Sequence, residues 1–372
     1  FRLVLLGHTS GRQGEVSTSS KLLEIANNFG LPSQLVDIFD LIPKPHKRER
    51  LTELTGHNID MAHQGKIDTN PLDNPISKYG DERMQFFYRN FDSVVLYVTW
   101  PLNQLGLTKL GITKKVPTLA WFYPYVVKED KIYHPFFRET TIITTFTPLT
   151  IKYLLFNGVP KHKIVLIPSN YPPLADKVYE SLQAEGLLSK RLKFFEKVEA
   201  RTGKKYSINE DTIVFGISAR IINMYNQAFI LERFREIASE LKNFVVILRY
   251  AAPKLAQDTS QEFINKFDAV VSEIKDEPWF LWDQEFYPFE EVMSLVSLFD
   301  VSVMMGPAGV ATIEQRGMGI TMLLLDFPVN RGLHTDGHHY FVKMNWWNAE
   351  TSDSEPNADD FKDKVRYICK KR

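Results

Sequence analysis

Short apolar runs alternate along this chain with longer amphipathic ones. FRLVLLG (1–7) is continuously apolar and ends on glycine, and SVVLYVTW (93–100), VPTLAWFY (116–123), TIITTFTP (141–148) and KIVLIPSN (163–170) are of the same type. Such runs, closed by Gly, Pro or Asn, predict strands buried on both faces, as in a parallel sheet. LPSQLVDIFD (31–40) is a further strand candidate, and KLLEIANNF (21–29) and LTIKYLLFNG (149–158) have helical spacing. The polar, irregular stretch 43–75 predicts a loop-rich insertion. A fresh series begins at TIVFGISAR (212–220). It continues through helix-like AFILERFREIASEL (228–241), strand-like FVVILRY (244–250), helix-like EEVMSLVSLF (290–299), strand-like VSVMMG (301–306) and TMLLLDF (321–327), and a last helix, DDFKDKVRYICKKR (359–372). Strands alternating with helices predict βαβ units and a mostly parallel sheet. The charge-rich stretch 176–205 predicts a connecting or surface helix with a solvated face.

Two α/β series of similar size, in a chain of 372 residues, predict two domains: 1–172 and 173–372, the core of the second starting near 211. Composition removes several alternatives. With 45 basic and 45 acidic residues there is no global field to argue for nucleic acid or an anionic membrane surface. The single cysteine, Cys369, builds neither a disulfide framework nor a cysteine zinc site, which fits a reducing, cytoplasmic compartment. No apolar run is long enough to span a bilayer. Because the chain opens on Phe1, a preceding signal or membrane anchor, and with it peripheral membrane contact, stays open. His-Glu-x-x-His and P-loop motifs are absent, and Gly7, Gly11 and Gly14 do not have the dinucleotide-binding spacing.

One stretch has its own chemical logic. GPAGVATIEQRGMG (306–319) follows the apolar run FDVSVMM, turns on small residues, and places Glu314 in the early turns of a helix. Residues 306–310 offer backbone N–H donors at a helix start, and small side chains let an anion come close. The plain alternative is a tight β-α turn with a surface glutamate.

In order along the chain, IVFGISARI (213–221), FVVILRY, FYPFEEVMSLVSLFDVSVMM (286–305) and GPAGVATIEQRGMGITMLLLD (306–326) resemble the C-terminal domain of GT-B glycosyltransferases. The family is the large retaining one that includes sucrose-phosphate synthases and many bacterial mannosyl- and glucosyltransferases. TTFTPLTIKYLLFNGVPKHKIVLIPSN (144–170) resembles its last N-terminal βαβ segment. The resemblance implies an α/β protein of GT-B type: two Rossmann-like domains facing a cleft, with a nucleotide sugar, such as a UDP-sugar, as donor. It implies transfer to a glycan, lipid-linked or protein hydroxyl, with retention, without metal and without a further cofactor. Arg220 would grip the diphosphate, and Glu314 would position the donor through its ribose hydroxyls, the two taken as the catalytic pair. Gly306, Gly309, Val310 and Ala311 would cradle the phosphates. His8, Gly11, Gly14 and Trp100 would line the acceptor side.

Two departures stand out. The family carries a glutamate eight positions before Glu314, where this chain has Gly306, and a lysine five positions after the arginine, where it has Tyr225. Arg249, ending the next strand, is the candidate replacement cation. His338 and His339 are read as a turn rather than a metal site. Two other functions stay open: a non-catalytic GT-B-like binding subunit, and a sugar-nucleotide 2-epimerase.

Overall fold

A computed structural model describes residues 2–7, 23, 26–30, 33–37, 93–98, 117–122, 131–145, 147–167, 174–250, 259–285, 287–334, 337–347 and 354–371. The apolar runs of the first series form strands β1 (Arg2–Gly7), β2 (Ser33–Asp37), β3 (Ser93–Val98), β4 (Thr118–Trp121), β5 (Ile142–Thr145) and β6 (Ile164–Leu166). All are parallel, in the order β2-β1-β3-β4-β5-β6. Two helices not separated by long loops follow from local chemistry. Helix α1 (His134–Glu139) begins with a proline in its first turn. Helix α2 (Pro148–Phe156) has Pro148 in its first turn, and its N-cap Thr147 accepts from the Thr150 amide at 3.1 Å. Their aromatic residues pack with Phe122, which lies 5.5 Å from the Tyr153 ring and 5.1 Å, edge-on, from Phe137. The predicted insertion at 43–75 lies outside the described residues.

The second series gives β7 (Ile213–Ser218), β8 (Phe244–Arg249), β9 (Phe280–Asp283), β10 (Val301–Met304), β11 (Thr321–Leu325) and β12 (Tyr340–Val342). These too are all parallel, in the order β12-β11-β10-β7-β8-β9. Counted within this sheet, that is the doubly wound order 3-2-1-4-5-6 read from the other edge. β13 (Met344–Trp347) and β14 (Ser354–Pro356) form a separate antiparallel pair. By compactness the chain divides into one unit of Phe1–Pro168 and another of Ser169–Arg372.

The helices of the second unit are α3 (Leu174–Glu185), α4 (Leu187–Thr202), α5 (Gln227–Ile237), α6 (Gln261–Ile274), α7 (Phe289–Val296), α8 (Val310–Gly317), α9 (Pro328–Leu333) and α10 (Ala358–Lys370). They cover both faces of its sheet. On one face Val214, Val245 and Ile247 pack with Phe195 and Val198 of α4 and Val296 of α7. On the other, the Phe215 ring lies 5.1 Å from Phe234 of α5, which meets Phe361 of α10 edge-on at 5.6 Å. α10 shows why such a helix forms where it does. Asn357 caps it by accepting from the Asp360 amide at 2.9 Å, Asp359 and Asp360 sit at its positive end, and Phe361, Val365 and Ile368 line the buried stripe.

The charged stretch 176–205 is not one solvated helix. It breaks at Gly186, whose φ of 84° is left-handed backbone that glycine adopts without strain, and α4 buries Arg191, Phe195 and Val198. Arg191 donates from Nε and Nη2 to the Leu298 carbonyl (2.9 and 2.7 Å) and pairs through Nη2 with Asp300 at 2.6 Å. Asp300 also accepts from the Val214 amide at 2.8 Å. The charge pattern predicted a water-facing surface, but helical spacing brings these apolar residues and one arginine to the sheet side. β9, α1 and α6 are further elements that the sequence pattern did not single out. For β9 and α6 the signal was present: Trp279 to Trp282 is a short apolar run directly after Pro278, and α6 carries Phe263, Phe267, Val270 and Ile274 at helical spacing.

Candidate functional site

In a doubly wound sheet the strand order reverses at one point, and the loops that leave the two central strands there diverge to opposite faces, opening a crevice at their C-terminal ends. Here that point lies between β7 and β10, paired through Phe215 with Val301 and Gly216 with Ser302. The loop after β7 carries Arg220 and Tyr225, and the loop after β10 carries 306–309 and opens α8. The two loops touch. A Cβ built on Gly306 would fall 2.2 Å from the Met224 carbonyl oxygen and 2.7 Å from Cδ1 of Tyr225. Asn226 donates through Nδ2 to the Met305 carbonyl at 2.8 Å.

Buried neutral amides hold both loops. Gln227, fully buried at the start of α5, donates to the Arg220 carbonyl and accepts from the Ile222 amide at 3.3 Å. Asn330, fully buried in α9, donates to the carbonyls of Gly306 (3.0 Å) and Leu325 (2.7 Å) and accepts from the Ala308 amide (2.6 Å). Gly309 is the N-cap of α8 and supplies no side-chain cap, so the first amides of the helix are left to other acceptors. The positive end of the helix dipole therefore points out of the loop at the crevice end of β10.

The fold is GT-B. A glycosyltransferase from Rickettsia africae matches over 100% of this chain and 88% of its own, with a TM-score of 0.64 at 10% identity. A UDP-forming trehalose-phosphate synthase from Burkholderia xenovorans, in complex with glucose-6-phosphate, matches over 99% and 92%, with a TM-score of 0.62 at 10% identity. HepE of Anabaena, in complex with UDP and glucose, matches over 99% and 90%, with a TM-score of 0.55 at 9% identity. No family model matches the chain, and no curated protein matches it in sequence. At such identities the likeness is one of fold, and this chain is a divergent bearer of the GT-B architecture.

Within that architecture the anticipated residues of the second unit fall as follows. Arg220 is exposed just beyond β7, and Glu314 is buried in the second turn of α8, with a relative exposure of 9%. Gly309 and Ala311 are exposed at the helix start. Val310 is the first residue of α8. Tyr225, in the lysine position of the resemblance, packs with Ala219 and Phe341 against the buried cluster of Met304, Met322 and Leu324. It is a packing residue.

Arg249 ends β8, beside Ser218 on the side of β7 away from β10. Its guanidinium lies 5.8 Å from the Tyr287 ring centre, and its buried Nε has no hydrogen-bond partner among the described residues. Burial lowers its pKa, and Asp283, Tyr287 and Tyr250 counteract this in part. Asp283, in register with Arg249, is fully buried, and its Oδ1 accepts from Arg201 Nη2 at 3.0 Å and from the Tyr287 hydroxyl at 3.4 Å.

His339 accepts at Nδ1 from the Met322 amide at 3.1 Å and meets the buried His334 ring edge-on at 4.9 Å, while His338 is exposed beside it in the turn before β12. His8, Gly11, Gly14 and Trp100 lie outside the described residues. Asn226, Gln227 and Asn330 were not legible as site residues. Each is a single amide in an ordinary helix start, and its role depends on loops brought to it by the fold.

Proposed function

We propose that this protein is a glycosyltransferase that takes a sugar from a nucleoside-diphosphate donor and passes it to a hydroxyl group of a glycan, lipid or protein. What carries the reading is the meeting of the Arg220 loop with the 306–311 helix start at the switch point of β7 and β10, where α/β sheets of this order bind ligands. As the glycosidic bond breaks, negative charge grows on the departing diphosphate. The Arg220 guanidinium and the first amides of α8 supply fixed positive potential for it, which suits a metal-independent reaction. Glu314 accepts hydrogen bonds from the ribose hydroxyls, and Arg249 adds a second cation in place of the lysine that Tyr225 replaces. The UDP complexes of HepE support UDP as the nucleotide to try first. The acceptor would be met by His8, Gly11, Gly14 and Trp100, with retention of configuration, in the cytoplasm or at a membrane surface.

A second reading is favoured by one observation. The two family side chains that are missing leave no vacancy: backbone 224–225 fills the place of a side chain at 306, and Tyr225 belongs to a packed cluster. That suits a binding subunit that kept the fold and lost turnover. A thermal-shift screen of UDP, GDP, ADP, dTDP and CMP, with and without Mg²⁺, followed by hydrolysis of the matching donor sugar, separates the two. A selective, metal-independent rise with hydrolysis supports the transferase, a rise without turnover the binding subunit, and no rise with any nucleotide removes the transferase and leaves a non-catalytic subunit that binds a partner or glycan. Epimerised donor in the absence of acceptor would instead point to a 2-epimerase.

A further inference from the structure

Resting on the donor-site reading above, we propose that Asn330 is a positioning residue for the diphosphate: it sets the direction of the 306–311 loop without touching the ligand. The argument starts from the inventory of that loop. Pro307 has no amide hydrogen. The next amide, Ala308, is taken up by Asn330 Oδ1 at 2.6 Å. Both Nδ2 hydrogens are used as well, on the Gly306 carbonyl at 3.0 Å and the Leu325 carbonyl at 2.7 Å. One buried side chain thus fixes the peptide on either side of Pro307 and ties it to the end of β11. With the Ala308 amide engaged inward, the amides next in line are those of Gly309, Val310 and Ala311, where α8 begins.

The choice of amide matters. Asp has the same shape but no Nδ2 hydrogens, and it would set an acceptor against two carbonyl oxygens. Its negative charge would also lie behind the amides offered to an anion. A residue that merely filled space would show neither sensitivity.

The test is Asn330→Asp, with Asn330→Ser as the milder variant should the first not fold. Binding of UDP and of uridine is measured by calorimetry on the full chain, and hydrogen exchange is followed across the 303–313 peptide. Asn330 as a positioning residue predicts UDP affinity down by about tenfold or more, uridine affinity nearly unchanged, and faster exchange concentrated in that peptide. Equal losses for UDP and uridine, or unaltered UDP affinity in a folded variant, would overturn it. Should the natural protein bind no nucleotide, the donor-site reading fails on its own. Asn330 then stands as the loop's anchor if exchange in the peptide quickens, and falls if it does not.

Discussion

The place a Cβ would take at Gly306 lies 2.2 Å from the carbonyl oxygen of Met224. No real side-chain carbon approaches a backbone oxygen so closely, so the glycine is required by the turn Asn223–Tyr225 packed over it. The two departures from the resemblance, at 306 and 225, are therefore coupled: the turn that brings Tyr225 onto the Met304 cluster is the turn that leaves no room at 306. Gly306→Ala is expected to cost about 1–3 kcal/mol of stability, because one backbone segment or the other must move. Urea denaturation checks this, and a neutral substitution would mean the two loops are not in contact.

Glu314 is buried in α8, behind the loop. Glu314→Ala is expected to weaken nucleoside diphosphate binding by about 1–3 kcal/mol, the cost of leaving hydroxyl partners unpaired. Calorimetry with UDP measures it, and unchanged affinity in a folded variant removes Glu314 from the site.

Arg220 lies exposed just past β7. If it faces the diphosphate, Arg220→Ala loses affinity for UDP by about tenfold or more and for uridine much less. Equal losses for the two would contradict a diphosphate role.

Arg191 ties α4 to the strand ends at Leu298, Thr212 and Asp300. Arg191→Ala removes the arginine paired with Asp300 and the hydrogen bonds it donates to the Leu298 and Thr212 carbonyls, and is expected to cost about 3–5 kcal/mol. Denaturant midpoints decide it. A loss below about 1 kcal/mol would show that apolar contacts alone hold α4.

Among the described residues, Tyr206 and Cys369 have strongly raised pKa values that bear on stability at alkaline pH. Burial pushes Tyr206 from 10.0 up to about 12 and Cys369 from 9.0 up to about 11. Both hold their protons more tightly in the folded chain than in the unfolded one. Their contribution is complete below about pH 9 and is lost as the pH rises through 9–11 for Cys369 and 10–12 for Tyr206. Unfolding free energy measured from pH 8 to 12 is expected to fall across that range. At pH 8 a thiol reagent is expected to label Cys369 slowly until denaturant is added, and rapid native labelling would contradict a protonated, sheltered thiol.

The sequence by itself determined the class of fold. Short apolar runs rich in β-branched residues, such as TIVFGIS and FVVILRY, have no solvent face and alternate with amphipathic helices, the pattern of central strands in a covered parallel sheet. Gly-Pro-Ala-Gly after such a run also marked the turn that opens α8, because backbone chemistry at a strand end is local. What needed the tertiary structure is everything that depends on which strand lies beside which. The order of the second sheet puts β7 next to β10 and so makes neighbours of Met224 and Gly306, 82 residues apart in the chain. Gly306 reads in the sequence as a lost glutamate, and in the fold as a contact with Met224. Tyr225 reads as a lost lysine, and in the fold as part of a methionine and leucine cluster. Asn226, Gln227 and Asn330 carry no pattern at all, since an amide side chain acquires its task only from the carbonyls and amides that a distant loop brings within 3 Å or so of it.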